Sequence, residues 1–249
     1  MSGHSKWHTI KHKKGAADAK RGKIFTRIIK ELTVAARAGG GDPDSNPRLR
    51  TIIAEAKSVN MPQDNIKRAI RRGTGEEPGV SYEESQYAGV GPGGASVLID
   101  TLTDNKNRTV GEIRQVLKKN GGDMTDTSSV HWKFSRCGYI VLAKAAASED
   151  TLMATALDNG AEDLRDDGDH WEVITPVDAF HPVLEAVKAL GVEPEVARLS
   201  MLPSTPLRLE GKDAQQMLKL LDALDDHDDV QHVWTDADID EKEIEASLA

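Results

Sequence analysis

The chain of 249 residues is poor in cysteine and aromatic residues, with one Cys, three Phe, three Tyr and four Trp. The single Cys137 excludes an intrachain disulfide framework and fits a reducing cytoplasm. No apolar run approaches the roughly 20 residues needed to span a bilayer. The N-terminus also lacks the apolar segment of a secretory signal. These absences predict a cytoplasmic protein with aliphatic cores and no membrane partner.

Charge is divided unequally along the chain. Residues 1–75 contain 17 Lys and Arg but only six Asp and Glu, a net charge of +11. The remaining residues carry 15 basic and 35 acidic side chains, a net charge of −20, so the overall −9 hides a basic head on an acidic body. Such asymmetry indicates a polyanionic partner. We therefore expect residues 1–77 to form a basic arm followed by a helical domain.

The first 15 residues have no apolar periodicity, which predicts a flexible basic arm. Its candidate phosphate contacts are Lys6, Lys11, Lys13 and Lys14. Trp7 either stacks on a base or anchors the arm to the helices behind it, and both interpretations stay open.

Three helices are predicted after the arm. The first covers residues 16–37, with an apolar stripe opposite a cationic one. The second begins with Asn46 as its N-cap and ends near Asn60, and the third runs from Pro62 to Gly73. A nearly one-signed polar face, together with like charges four residues apart, favours a phosphate-bearing partner over simple solvation. The candidate nucleic-acid-binding residues here are Lys20, Arg21, Lys23, Arg27, Lys30, Arg48, Arg50, Lys67, Arg68, Arg71 and Arg72.

Beyond a linker at residues 76–79, helices alternate with strands over short loops, which indicates α+β domains with helices on one sheet face. We predict two ferredoxin-like-type α+β domains, one inserted in the other. The outer domain would comprise residues 78–136 and 205–240, and the inserted domain residues 137–204. The predicted strands of the outer domain include Val130–Phe134 and Leu207–Glu210. The acidic clusters are expected to serve solubility or repel nucleic acid, and the acidic tail, residues 241–249, is expected to be frayed together with residues 236–240.

Catalytic and cofactor sites are not indicated by the sequence. Gly89–Gly94 satisfies G-x-G-x-x-G, but a strand follows it instead of a helix, so a tight turn is expected. Cys137 could pair with His131 or His170, but nothing orients either histidine. The histidines and aspartates of residues 225–232 lack recognised ligand spacing for a metal. We therefore expect no enzyme activity, no cofactor and no metal.

Several longer motifs of the chain are distinctive, in residues 3–7, 20–25, 39–43, 46–50, 60–66, 73–75, 87–94 and 102–109. These segments resemble, in the same order, motifs of the YebC/PmpR family, which includes a mitochondrial translational activator. The similarity is close as far as Phe134 and looser, but in register, to the end. One departure is a serine where a glycine is expected within residues 126–129.

This resemblance implies a helical N-terminal domain and two α+β domains, one inserted in the other, around a cleft. It implies a DNA-binding transcriptional regulator, and for some members a ribosome-associated role that eases translation through proline-rich stretches. The residues themselves favour charge-driven contact with DNA or rRNA over base reading, because few Asn or Gln accompany the Lys and Arg. No dimerisation stripe is visible, so a monomer is expected. A protein-interaction scaffold with an incidental basic arm remains the third hypothesis.

Overall fold

The computed structural model describes the backbone of residues 17–247 and the side chains of residues 22–247. The first half contains α1 Ala17–Gly39, α2 Pro47–Ser58, α3 Gln63–Thr74, β1 Glu83–Val90, β2 Ser96–Thr103, α4 Lys106–Lys119, β3 Asp123–Thr125, α5 Thr127–His131 and β4 Phe134–Ala143. The second half contains α6 Glu149–Asp158, β5 Asp163–Asp166, β6 His170–Thr175, α7 Phe180–Ala189, β7 Val196–Pro203, β8 Leu207–Leu209, α8 Gly211–Asp225, β9 Val230–Thr235, β10 Ala237–Ile239 and α9 Glu241–Ser247.

The three N-terminal helices form the expected helical domain. Its core is aliphatic, with Ile28 and Leu32 of α1 packed against residues of α2 and α3 such as Leu49 and Ile66. Asn46 organises the α1–α2 turn from a buried position. Its side-chain oxygen accepts from the Leu49 amide, and its Nδ2 donates to the carbonyls of residues 35 and 40 at 2.9 Å each. The predicted N-cap is confirmed.

Close contact between α1 and α3 depends on Gly73. A Cβ added there would meet the Thr33 carbonyl and lie 2.7 Å from the Ala36 Cβ. Separations of that size are far below van der Waals contact, so any larger residue would push the two helices apart. Gly73 therefore lets one side of α3 lie against α1, while the opposite side of α3 faces solvent.

The outer α+β domain has a four-stranded antiparallel sheet in the order β3-β1-β2-β9. Its helices α4 and α8 share one core with the sheet, through residues such as Ile99, Ile113 and Leu221. Strand β9 comes from the far end of the chain and pairs with β2. The outer domain is thus built from two separated segments, which confirms the predicted insertion.

The inserted domain has its own antiparallel sheet in the order β5-β6-β4-β7, with α6 and α7 on one face. This is the ferredoxin-like order for a β-α-β-β-α-β chain. In the outer sheet, β2, β3 and β9 hold the places that the first, second and fourth strands of the unit hold in the inserted sheet. The place of the third strand is taken by β1, which precedes β2 in the chain. The exact domain boundaries near residues 77, 136 and 204 remain predictions from the sequence.

Two local expectations are wrong. Residues 127–131 form helix α5 where a strand over Val130–Phe134 was predicted, and β4 begins only at Phe134. The hydroxyl and carboxylate side chains of residues 126–129 compete for local hydrogen bonds, as Ser129 does with the Asp126 carbonyl, and this favours a helical turn. Val130 is still buried, against Ala88 and Leu98 of the sheet.

The expectation of a frayed tail is also wrong for residues 236–247. Asp236 is buried, and its carboxylate accepts from the Ser96 amide at 2.6 Å. Strand β10 pairs in parallel with β8, so the predicted strand near residue 207 is present but outside the main sheet. Helix α9 buries Ile244 in the core of the outer domain. Tertiary partners absent from the local sequence pattern order this segment.

Candidate nucleic-acid interface

The cationic stripe of α1 lies on residues 225–229, here called the acidic loop, which comprise the last residue of α8 and the turn before β9. Lys23 Nζ is 2.8 Å from Asp226 Oδ1, and Arg27 Nη1 is 3.0 Å from Asp225 Oδ1. One helical turn further, Lys30 Nζ is 2.8 Å from Asp229 Oδ1. The sequence interpretation treated this stripe as open to a partner. In the structure, the chain's own acidic loop occupies it.

Asp229 is the centre of this contact. One carboxylate oxygen accepts from Lys30, and the other accepts from Arg108 at 2.6 Å, Thr109 at 2.8 Å and Thr103 at 3.1 Å. Burial alone would raise the pKa of the Asp229 carboxyl, but these hydrogen bonds outweigh burial and hold the pKa well below its ordinary value. Asp229 therefore remains an anion and binds α1 and the start of α4 together.

The loop also presents backbone oxygens to α1. Lys23 and Arg27 donate to the carbonyls of Asp226 and Asp225, and Lys30 donates to those of Asp228 and Leu102. The carbonyls of residues 225, 226 and 228 lie at the C-terminal end of α8 and just beyond it, where a helix has negative partial charge, whereas Leu102 lies in β2. The last turn of α8 contains no basic residue of its own. The cations of α1 supply the positive charge that this helix end lacks.

The acidic cluster 222–229 therefore has a different role from the one expected. It was predicted to improve solubility or repel nucleic acid, whereas three of its carboxylates bind the basic head. Sequence reasoning missed Asp229 and its partners Thr103, Arg108 and Thr109 as a group. The one signal that pointed to them was the motif over residues 102–109, which the structure explains as the end of β2 and the start of α4.

Three side chains in this region lie close enough together to be compared with a metal site. Glu112, His227 and Asp229 each place a possible ligand atom within 4.8 Å of the others. Both oxygens of Asp229 already accept from cations and hydroxyls, however, and His227 Nε2 is 3.1 Å from Glu112 Oε2. The arrangement is an ion-pair network in which Lys30 and Arg108 already pair with Asp229, as is typical of a structural contact.

Helix α3 displays a different cationic face. Lys67, Arg68, Arg71 and Arg72 are exposed, on the side opposite the buried Ile66, Ala69 and Gly73. Arg71 pairs with Glu77 at 2.7 Å. Within residues 22–247, no ion pair joins the other three cations to a carboxylate. Among the candidates within residues 22–247, these cations of α3 are the largest group on one helix that stays exposed.

The remaining candidates divide into three groups. Arg48 pairs with Glu31 and Glu84, linking α1, α2 and β1, while Arg50 is exposed on α2. Lys20 and Arg21 lie on α1, but their side chains fall outside the described part of the chain. The arm candidates also lie outside the described residues: Lys6, Trp7, Lys11, Lys13 and Lys14.

Two motifs that the sequence analysis did not interpret as functional sites are the glycine-rich segment and the single cysteine. The Gly89–Gly94 segment closes the tight turn between β1 and β2, and Gly91 packs against Met217 and Leu220 of α8. Cys137 is buried on one face of the inserted sheet, and burial raises the pKa of its thiol to about 11. A thiol with that pKa stays protonated at neutral pH, so it is a poor nucleophile.

Comparison with known proteins places this architecture in a family. Residues 5–76 match the model described as TACO1/YebC protein N-terminal domain. Residues 82–237 match the model described as TACO1/YebC second and third domain. The chain belongs to the TACO1/YebC family.

Several TACO1/YebC relatives match over nearly their whole length. A probable transcriptional regulatory protein of Koribacter versatilis is 58% identical over 245 residues, 98% of each chain. One from Desulfatibacillum aliphaticivorans is 58% identical over 239 residues, 96% of this chain and 97% of the relative. One from Geobacter sulfurreducens is 54% identical over 245 residues, covering 98% and 99%. All three relatives carry the name probable transcriptional regulatory protein.

A solved structure shares the fold. The crystal structure of a conserved hypothetical protein from Aquifex aeolicus superposes with a TM-score of 0.80 at 40% identity, covering 90% of this chain and 93% of that one. The TACO1/YebC fold is thus shared across the three domains. Among residues 17–247, no helix is both long and apolar enough to cross a bilayer.

Proposed function

We propose that this chain is a non-enzymatic regulator of gene expression that binds the phosphate backbone of DNA through its basic N-terminal domain. The observation that carries the proposal is the α3 face, where Lys67, Arg68, Arg71 and Arg72 point to solvent. The names of its relatives as transcriptional regulators support the same conclusion.

The chemistry of this face suits phosphates. Four cations on twelve residues repel one another at spacings of four, which costs a few tenths of a kcal/mol per pair in an isolated helix. A polyanion removes that cost and releases its own counterions on binding. Guanidinium groups bind phosphate oxygens in a bidentate manner, and three of the four are Arg. The proposed interface extends from α3 to Arg50, to the start of α1 with Lys20 and Arg21, and to the arm residues Lys6, Trp7, Lys11, Lys13 and Lys14.

Contacts of this kind fix position without reading sequence. On α3 four cations are exposed but only one amide side chain, Gln63, so backbone contact is expected to dominate over base recognition. A ribosome- or rRNA-associated translation factor would need the same phosphate-binding surface, so the nucleic acid must be decided by experiment.

The test measures fluorescence anisotropy of a labelled duplex DNA and of a labelled rRNA hairpin over a series of salt concentrations. The variant K67Q/R68Q/R71Q/R72Q should bind the preferred nucleic acid much more weakly. Its log–log salt slope should be shallower by roughly one for each lost phosphate contact. The matched control is R114Q/K118Q/K119Q/K212Q, which removes four exposed cations from the acidic body.

Equal weakening by the two variants, or a flat salt dependence for the unmodified protein, would contradict the proposal. Co-sedimentation with ribosomes in the presence of excess duplex DNA then separates the two nucleic acids. Loss of the protein to the DNA supports the DNA-binding regulator. Retention on ribosomes identifies rRNA as the partner and the translation role as the correct one.

A further inference from the structure

The three ion pairs between α1 and the acidic loop are progressively more exposed toward the N-terminus of α1. The Lys30 and Asp229 side chains are 8% and 6% exposed, and those of Arg27 and Asp225 are 19% and 15% exposed. The outermost pair, Lys23 and Asp226, is 44% and 62% exposed. Exposed pairs are weakened by water and salt, whereas a buried pair is costly to break. The Lys30–Asp229 pair is therefore the fixed inner end of the contact. The Lys23–Asp226 pair is its outer end, which opens at low cost in free energy.

The loop presents oxygens to the outer cations much as a phosphate would. Lys23 Nζ contacts Asp226 Oδ1 at 2.8 Å and the Asp226 carbonyl at 3.1 Å. Arg27 contacts Asp225 Oδ1 at 3.0 Å and also bonds the Asp225 carbonyl. Each cation thus meets two oxygens of one residue, a geometry that phosphodiester oxygens also offer to Lys and Arg.

The position of these two carboxylates is unfavourable for α8 by itself. Asp225 is the last residue of α8 and Asp226 is its C-cap, where negative charge opposes the helix dipole. Docking of α1 offsets that repulsion. Asp225 and Asp226 are thus suited to holding cations and unsuited to stabilising their own helix.

We propose that Asp225 and Asp226 mask Lys23 and Arg27 from nucleic acid, and that a phosphate backbone displaces the two carboxylates while Lys30 and Asp229 keep α1 in place. The inference rests on the proposed function, because it assigns a regulated extension to the same basic surface. The protein would bind nucleic acid weakly through α3 alone. It would bind more tightly once Lys23 and Arg27 of α1 are released from Asp225 and Asp226. Masking also suppresses binding to polyanions that engage only α1.

The test compares D225N/D226N with the unmodified full-length protein in the same anisotropy assay, using a labelled duplex DNA and a labelled rRNA hairpin. Removing the competing carboxylates should tighten binding at least about threefold, and the salt slope should become steeper by up to roughly two. The matched control is D158N/E193Q, which changes the net charge equally at exposed carboxylates on the inserted domain. It should tighten binding less than twofold.

A double-mutant cycle separates masking from a general charge effect. If Lys23 is masked, K23Q should weaken binding more in the D226N background than in the unmodified protein. Circular dichroism melting curves of all variants check that the domains stay folded. Equal effects of K23Q in both backgrounds would overturn the masking. So would equal tightening by D225N/D226N and the control.

These failures differ from failure of the proposed function. If the α3 variant loses binding while D225N/D226N behaves like its control, only the masking is wrong. If the α3 variant binds as well as the unmodified protein, the proposed interface itself is wrong, and the inference falls with it.

Discussion

Lys30 Nζ lies 2.8 Å from Asp229 Oδ1, although 199 residues separate the two positions. Both side chains are more than nine-tenths buried. The same carboxylate accepts from Arg108 and Thr109 through its second oxygen. One aspartate therefore joins the first helix of the head to the first turn of α4, so a charge network connects the head to the outer domain.

Replacing Asp229 with Asn should destabilise the protein strongly. The substitution leaves the Lys30 ammonium buried without its counter-charge, a situation that typically costs about 3–5 kcal/mol. Urea unfolding followed by circular dichroism should show a lower midpoint of denaturation. The matched control is D228N, because Asp228 is exposed and contributes its backbone carbonyl to Lys30. Equal losses for D229N and D228N would contradict the role assigned to the Asp229 carboxylate.

The same network should make stability depend on pH in the acid range. The pKa of Asp229 is lower in the folded protein than its ordinary value of 3.8, because hydrogen bonds from Lys30, Arg108 and Thr109 overcome the opposing effect of burial. A lowered folded pKa means that the stabilisation is present above the unfolded pKa and is lost as the pH falls through the folded pKa.

Urea midpoints measured from neutral pH down to about pH 3 test this expectation. The unmodified protein should lose stability more steeply below about pH 5 than D229N, because only the unmodified protein has this carboxylate to protonate. Parallel curves for the two proteins would show that Asp229 does not contribute to acid unfolding.

Gly73→Ala should weaken the helical domain. Its Cβ would lie 2.7 Å from the Ala36 Cβ and against the Thr33 carbonyl, and overpacking of this kind costs about 1–3 kcal/mol. Gly111→Ala is the control, because Gly111 lies within α4 with no atom near the added Cβ. That change should stabilise the protein by about 0.5–1 kcal/mol. The two variants are compared by their thermal melting curves. A melting temperature of Gly73→Ala equal to that of the unmodified protein would contradict the close contact between α1 and α3.

Cys137 should react slowly with thiol reagents in the folded protein. Burial raises the pKa of its thiol to about 11, and the side chain is 5% exposed, so both thiolate fraction and access are low. Labelling with iodoacetamide at neutral pH should be slow and should become rapid in urea. Rapid labelling of the folded protein would show that the inserted sheet opens readily at this position.

Local rules explain why the helical domain could be predicted from sequence. Asn46 and Pro47 start α2, Gly73 lies in the last turn of α3, and the apolar spacing of α1 matches its buried residues. Each of these signals acts within a few residues. The same rules failed at residues 127–131, where hydroxyl groups favoured a helical turn over a strand, and at residues 237–239, where a distant strand provides the pairing.

The candidate site shows a similar division. The exposed cations of α3 follow from helical spacing, because the apolar positions define the opposite, buried face. The environment of the α1 stripe does not follow from spacing. Whether Lys23, Arg27 and Lys30 face solvent, a partner or the chain's own carboxylates depends on which distant segment packs against α1.

Composition and local periodicity are sufficient to predict the separation of charge between head and body, the three helices of the head and the alternation of strands and helices beyond it. The contacts of Asp225, Asp226 and Asp229 with α1 follow only from the folded arrangement of the domains. Pairing across about two hundred residues is set by the insertion of one domain into another and by the return of β9 to the outer sheet. No local pattern encodes that distance, since long-range contacts form only when the whole chain has folded.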